Sequence, residues 1–463
     1  MENQSHLESL PKFHAVSLIL TFCSISAVFI YLVITRNFIF GSIKGNWSYE
    51  YFGTTNRIPF WIPIITLLLL GVLIFIGSNL IRNHEKLTLL GCLLVAITIQ
   101  VLIHSAYPIP MSKIITSDGA NSFYTPALQY SPSKILSEYQ DLAPSFPKHA
   151  KTNMPGKILF YQLLNIFTES PQIMGYMIIL ISTIGGLILY RICIRLFRDK
   201  TLALYSFVLY ILIPCKLFFF PTLNTVTPVF ILSCMYLFLV YLDSKNNWLL
   251  ILLGIALYIL FLFEPSPLVT GILFIGILLN AIGEKRISMK QTLNLVLIPI
   301  FSFIAIYLLF LIVFSFDLNQ AFQYILKDAV EFNLIRDRNY LIWIGENLKE
   351  FFYVAGLPVM MIFIYFTFSI LSQWRAMKKS LLYWSAIDLF VLSLLLTFSF
   401  TLFLGINRGE VTRLWIYLAV LFQIPASFFM AKIIKSNALF YVLAVTLMAQ
   451  SFITLMKISF LTP

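Results

Sequence analysis

The chain has 463 residues, 59% of them hydrophobic and only 11% charged, where a soluble domain carries about 25% charged residues. That balance excludes an ordinary soluble domain and defines a polytopic membrane protein. The formal charge of +12 does not point to nucleic acid, because Lys and Arg fall in short clusters between apolar runs and no long basic segment is present to track phosphates.

The opening segment, MENQSHLESLPKFH, is polar and lacks the basic start and small-residue cleavage site of a secretory signal, so the first apolar run is expected to be a retained span. A hydrocarbon core of about 30 Å takes about 20 helical residues. Thirteen such runs follow, near 14–36, 60–81, 87–104, 171–190, 201–215, 222–242, 249–263, 267–282, 292–316, 350–371, 381–404, 414–431 and 437–456. Those at 201–215 and 249–263 are short and end at Pro214 and at Glu264-Pro265, so broken helices or hairpin limbs are the alternative there and the count ranges from 11 to 13. The expected fold is an all-α polytopic membrane protein of about thirteen transmembrane helices. Cys23, Cys92, Cys193, Cys215 and Cys234 lie in or at the ends of apolar runs, without CxxC or metal-ligand spacing, which argues against disulfides and zinc.

Orientation is read from the short connections, where basic residues are retained on the cytoplasmic side. Arg191 to Lys200, Lys285 to Lys290, Arg375 to Lys379 and Lys432 to Lys435 fall on one side of a thirteen-span chain, together with Lys12, Arg82, Lys86 and Lys245. The N-terminus is therefore expected inside, and the C-terminus and the long polar segment 105–157 outside. That segment has five lysines of its own, but long loops are translocated largely regardless of charge. The segment 37–59, the turn from Lys216 to Pro221, the Glu264-Pro265-Ser266-Pro267 turn, the loop 317–349 and the stretch Gly405 to Arg413 share the outer face. No internal repeat is visible, which weakens a secondary-transporter reading.

Three constellations can carry chemistry. The first is Thr116 to Tyr124, where Asp118 near the membrane surface can accept a proton from a hydroxyl or, with Ser117, can cap a surface helix. The second is Lys148 to Lys157, where Pro155-Gly156 turns the chain toward an amphipathic run too short to span; short interfacial helices are expected here. His149 and Lys157 then bind a lipid phosphate or simply anchor the interface. The third is Asn407 to Trp415. Glu410 and Arg413 stand three apart and pair on one helical face, and Arg413 offers a planar fork to phosphate or snorkels beside an interfacial Trp415. Glu264 and the Arg338-Asn339-Tyr340 run are weaker candidates. No Walker loop, GxSxG elbow, HExxH or dinucleotide fingerprint occurs.

These residues together resemble the GT-C superfamily of integral membrane glycosyltransferases, in particular the branch of protein O-mannosyltransferases and aminoarabinose transferases. Asp118 with Tyr124 looks like that family's acidic element of the first large outer loop, and His149 with Met154-Pro155-Gly156 looks like the motif that closes it. The Arg191 to Arg198 exit, the Pro214 to Asn224 turn, Arg338-Asn339-Tyr340 and Gly409 to Trp415 are similar to further family elements. The resemblance implies a GT-C-like core over 87–431, preceded by two accessory spans (1–86) and followed by a C-terminal span and tail (432–463). It also implies inverting transfer of a sugar from a polyprenyl-phosphate donor to an extracytoplasmic lipid, glycan or protein at the plasma (inner) membrane. Asp118 would be the general base; His149, Lys157, Arg338, Arg408 and Arg413 would hold the donor phosphate; Tyr124, Asn153, Glu264, Tyr340 and Glu410 would support them. No ligand cluster marks a metal site, and nucleic acid is not an expected partner. A lipid-linked oligosaccharide polymerase or ligase, depending on Arg and His more than on an acid, and a membrane transporter are the alternatives.

Overall fold

The structure is a computed structural model that describes residues 10–54, 58–373 and 384–461. Over their described residues the thirteen apolar runs lie mostly on helix. Among the described residues eleven helices are long and apolar enough to cross a membrane, from Lys12–Ile34 to Asn437–Lys457. The run at 249–263 forms the shorter helix Trp248–Phe263. The run at 350–371 differs from expectation: it is no straight span, because Tyr340–Val354 and Leu357–Gln373 meet at a bend of 110°. Gly356 sits in that bend at φ +105°, a left-handed conformation that a side chain disfavours. The chain is thus an all-α polytopic membrane protein.

The bundle has a dry centre and a lipid-facing rim. Ile416–Phe428 is buried at every position, and Lys200–Ile211 from Leu202 onward, as expected of helices that are apolar all round. Met289–Phe314 is the opposite extreme, with only Leu295 and Pro299 buried, while Phe301 and Ile312 are 65% and 79% exposed. A helix this apolar and this bare needs hydrocarbon as its solvent. The first and last spans, Lys12–Ile34 and Asn437–Lys457, pack against each other.

Polar chemistry divides between the two ends. At one end ion pairs tie together loops that are distant in sequence: Glu85 with Arg191 and Lys200, Asp243 with Arg195 and Arg286, and Asp199 with Lys432. These are the basic connections expected on a single side; the cluster 375–379 lies outside the described residues. Helices begin here on side-chain caps, Asp199 receiving Leu202 N and Ser288 forming a reciprocal box with Gln291, which satisfies first-turn N–H groups.

The other end is more elaborate. Segment 105–157 folds into short helices, among them Met111–Thr116, Tyr124–Gln129, Pro132–Ser137 and Lys148–Lys151, over a second apolar cluster built on Tyr139, Met154, Ile158 and Phe316. The connection 317–349 is mostly helix rather than open loop: Leu318–Ile335 starts on Asp317 and Tyr340–Val354 on Asn339, each cap accepting two backbone N–H groups. Residues 37–54 form short antiparallel pairings, Gly41–Ser42 with Trp47–Ser48 and Glu50–Tyr51 with Ile458–Ser459. The second pairing joins the segment that follows the first span to the residues that follow the last.

Candidate functional site

At that end lies a polar cavity of about 270 Å³, lined by Trp47, Tyr49, Glu50, Gly119, Ala120, Lys148, His149, Phe219, Glu410, Arg413 and residues 459–461, among others. Each wall is held by specific contacts. The stretch 405–410 is pinned from the two amphipathic helices: Asn333 Nδ2 donates to Ile406 O (2.8 Å), Asn347 Nδ2 to Asn407 O (2.7 Å), and Asn347 Oδ1 accepts from Gly409 N (3.1 Å). Gly409, at φ +92°, lies so close to Trp343 that a Cβ would sit 2.8 Å from the indole. Only glycine allows both the turn and the approach. The next residues present Glu410 and Arg413 to the cavity.

Arg413 is the centre of the charged wall. Its Nη2 donates to Glu410 Oε2 at 2.6 Å, and Nη1 and Nη2 lie 3.2 and 3.4 Å from the two ring nitrogens of His149. His149 is fixed through its backbone: its N–H donates to Ser122 Oγ (3.1 Å) and its carbonyl accepts from Asn153 Nδ2 (2.8 Å). Burial, then the Arg413 guanidinium and Lys148, hold the imidazole well below its ordinary pKa. A neutral ring results, able to sit against a cation and accept from it. The opposite wall comes from the strand pair, with Tyr49 bonded to Thr412 Oγ1 at 2.9 Å and its ring edge-on to Phe460.

Next to the cavity, outside its lining, is a second charged unit. Lys157 Nζ lies 3.0 Å from Glu264 Oε2, with side chains only 1% and 6% exposed. Thr227 Oγ1 donates to the same oxygen (2.7 Å), Ser266 Oγ to Oε1 (3.2 Å), and Lys157 also donates to Asn153 Oδ1 (3.2 Å). The approach depends on Gly156, where a Cβ would stand 2.4 Å from Leu262 O. Desolvation pulls the Lys157 pKa down, and the Glu264 carboxylate offsets part of that. Asn153 joins the two units, one end on the His149 carbonyl and the other on Lys157.

The residues expected from sequence therefore separate into three groups. His149, Glu410 and Arg413 meet in the cavity. Asn153, Lys157 and Glu264 form the buried unit next to it and do not line it. Arg338 and Arg408 are structural, each donating to the other's carbonyl, with Tyr340 bonded to Phe403 O; none of the three lines the cavity. Tyr124 packs edge-on against Tyr161. Asp118 is exposed, and its Oδ1 accepts from Thr125 Oγ1 at 2.7 Å. Its turn supplies Gly119 and Ala120 to the cavity wall, but Asp118 itself is not part of it. Sequence reading missed Trp47, Tyr49, Glu50, Lys148 as a wall residue, Phe219 and 459–461. The one available signal was the aromatic alternation Trp47, Tyr49, Tyr51 around Glu50, a strand pattern within polar sequence.

Among the described residues no three His, Cys, Asp or Glu side chains gather as a metal site. No family model, curated protein or solved structure matches the chain. The fold and site define an integral membrane protein with a polar cavity at one end of its bundle.

Proposed function

We propose that the chain is a membrane glycosyltransferase that takes a sugar from a polyprenyl-phosphate donor and passes it, with inversion, to an acceptor outside the cytoplasm. The observation that supports this most is the composition of one cavity, where cations, carboxylates and aromatic rings stand together. Lys148 and Arg413 suit a departing phosphate, since fixed charges aimed at a developing anion supply much of such catalysis. Trp47, Tyr49 and Phe219 suit a sugar face. In this proposal the basic end faces the cytoplasm and the cavity faces outward, following the retention of positive loops inside, and the plasma membrane is the location that a GT-C-like transferase implies.

In this reading a carboxylate removes the acceptor hydroxyl proton as its oxygen attacks the anomeric carbon, and the bond to the phosphate oxygen breaks with its electron pair going to the phosphate. Two carboxylates compete for that role. Glu50 lines the cavity and makes no ion pair among the described residues, whereas Asp118 stands one residue from the wall and bonds Thr125. Geometry favours Glu50. Glu410 is committed to Arg413 and positions it.

The test is mass spectrometry of envelope glycans and polyprenyl-linked sugars in cells lacking the gene and carrying each variant. Loss of a glycan with accumulation of its lipid-linked sugar supports the proposal, and an unchanged profile in the deletion overturns it. Glu50→Gln should reproduce the deletion and Asp118→Asn should not; the reverse moves the base to Asp118. One observation favours a second reading, a lipid-linked oligosaccharide polymerase or ligase: an arginine and a histidine meet in the cavity, Arg413 lying 3.2 and 3.4 Å from the two ring nitrogens of His149. That enzyme would lose activity in His149→Ala and Arg413→Ala while tolerating both acid substitutions.

A further inference from the structure

At the opposite, basic end a second cavity of about 210 Å³ lies between Trp61–Leu80 and Glu85–His104, lined by residues including Val72, Ile76, Gly77, Leu87 and Gly91. It is an open groove with almost wholly apolar walls. Two features widen it. The first helix passes through a π-helical turn at Val72–Ile76, and Gly91 has open space where a side chain would be, with nothing within 4 Å of a Cβ. Ile76 and Leu87 are exposed on its flanks at 51% and 72%, so the groove opens sideways into the hydrocarbon.

Apolar walls alone select nothing inside a bilayer, because lipid tails are as apolar as the groove. Selectivity has to come from its mouth. His84 lines the groove there, between Arg82 and Lys86, both exposed and neither in an ion pair among the described residues. The intervening acid, Glu85, is already taken by Arg191 and Lys200. Two cations without an ion-pair partner among the described residues therefore stand two positions either side of His84, which lines the groove.

We propose that this groove is a binding site for an anionic phospholipid, one acyl chain lying between the two helices and the headgroup phosphate held by Arg82 and Lys86. Basic pockets between helices at the cytoplasmic surface are the places where such lipids are selected. The site is at the other end of the bundle from the polar cavity, and the inference does not depend on the glycosyltransferase reading.

The experiment is native mass spectrometry of the purified full-length protein titrated with phosphatidylglycerol or with phosphatidylcholine. Wild type should retain the anionic lipid with roughly a tenfold preference, given two favourable charges near the headgroup. Gly91→Leu adds an apolar side chain to the groove from a position where a Cβ meets nothing within 4 Å and should remove the retained lipid of either kind. Arg82→Gln with Lys86→Gln should abolish the preference while weak binding of both lipids persists. Equal retention of the two lipids by wild type would overturn the proposal, as would a preference that survives the double substitution. So would a Gly91→Leu variant that keeps its lipid but forms a smaller oligomer than the wild type, since the groove would then be a contact between two copies of the chain.

Discussion

The two ends of this bundle use the same ionic side chains in opposite ways. At the basic end Glu85, Asp199 and Asp243 pair with Lys and Arg that remain a quarter to nearly half exposed, where water screens each contact and an ion pair adds about 0–1 kcal/mol. At the cavity end Lys157 and Glu264 are almost fully enclosed, and Arg413 lies on a neutral His149. Enclosed charges are expensive to desolvate, and breaking one such pair leaves the survivor uncompensated. Loops at the basic end are joined by contacts that each matter little; the cavity end holds charge in an arrangement that stability alone does not favour. That is the pattern of a site organised to meet a ligand.

The largest effect separating the two ends is expected from Lys157→Met. With Glu264 left buried beside Thr227 and Ser266, unfolding stability should fall by about 3–5 kcal/mol, and adding Glu264→Leu should recover much of it. Thermal melting of the single and double variants in detergent checks this, and a simple sum of two losses would show that the pair is not coupled. Gly156→Ala comes next. Its Cβ would press on the Leu262 carbonyl, an overpacking that costs about 1–3 kcal/mol, and it should loosen the same ion pair without removing either charge.

A smaller effect is expected from pH. The folded His149 pKa lies below its unfolded value, so as pH falls below the ordinary histidine value of about 6.5 the unfolded chain takes up a proton that the folded chain does not. Stability is then present above that pH and declines as acidity approaches the depressed folded value. Melting temperature should drop from pH 7 to pH 5 in the wild type and drop less in His149→Asn; equal slopes would mean that burial and the neighbouring cations do not hold the imidazole neutral in the folded chain. The least effect belongs to Asp243→Asn at the basic end, within about 1 kcal/mol. A loss as large as that of Lys157→Met would dissolve the contrast between the ends.

Sequence alone located the helices well because the bilayer dictates their composition: over their described residues the thirteen apolar runs are mostly helical, down to the short Trp248–Phe263. It failed where amphipathic helices lie outside the spans. Leu318–Ile335 mixes charge and apolar residues in a stretch that reads as loop, although Asp317 and Asn339 are proper caps for it and its neighbour. Within the site, His149, Glu410 and Arg413 were legible because ionic residues beside a span need a reason to be there. Glu50 and Tyr49 were not, because Glu50 is placed by pairing with Ser459 and Tyr49 by its contacts with Thr412 and Phe460, all distant in sequence and without a local signature. Asp118 drew attention for its acidity and its turn, yet that turn contributes backbone to the cavity and directs the carboxylate to Thr125.

The central claim is that this cavity transfers sugar from a lipid phosphate with Glu50 as base. The most direct measurement is mass spectrometry of polyprenyl-linked sugars and envelope glycans from cells expressing Glu50→Gln at wild-type protein level. The account predicts loss of one glycan and build-up of its lipid-linked sugar, matching the gene deletion; a wild-type profile from that variant would contradict it.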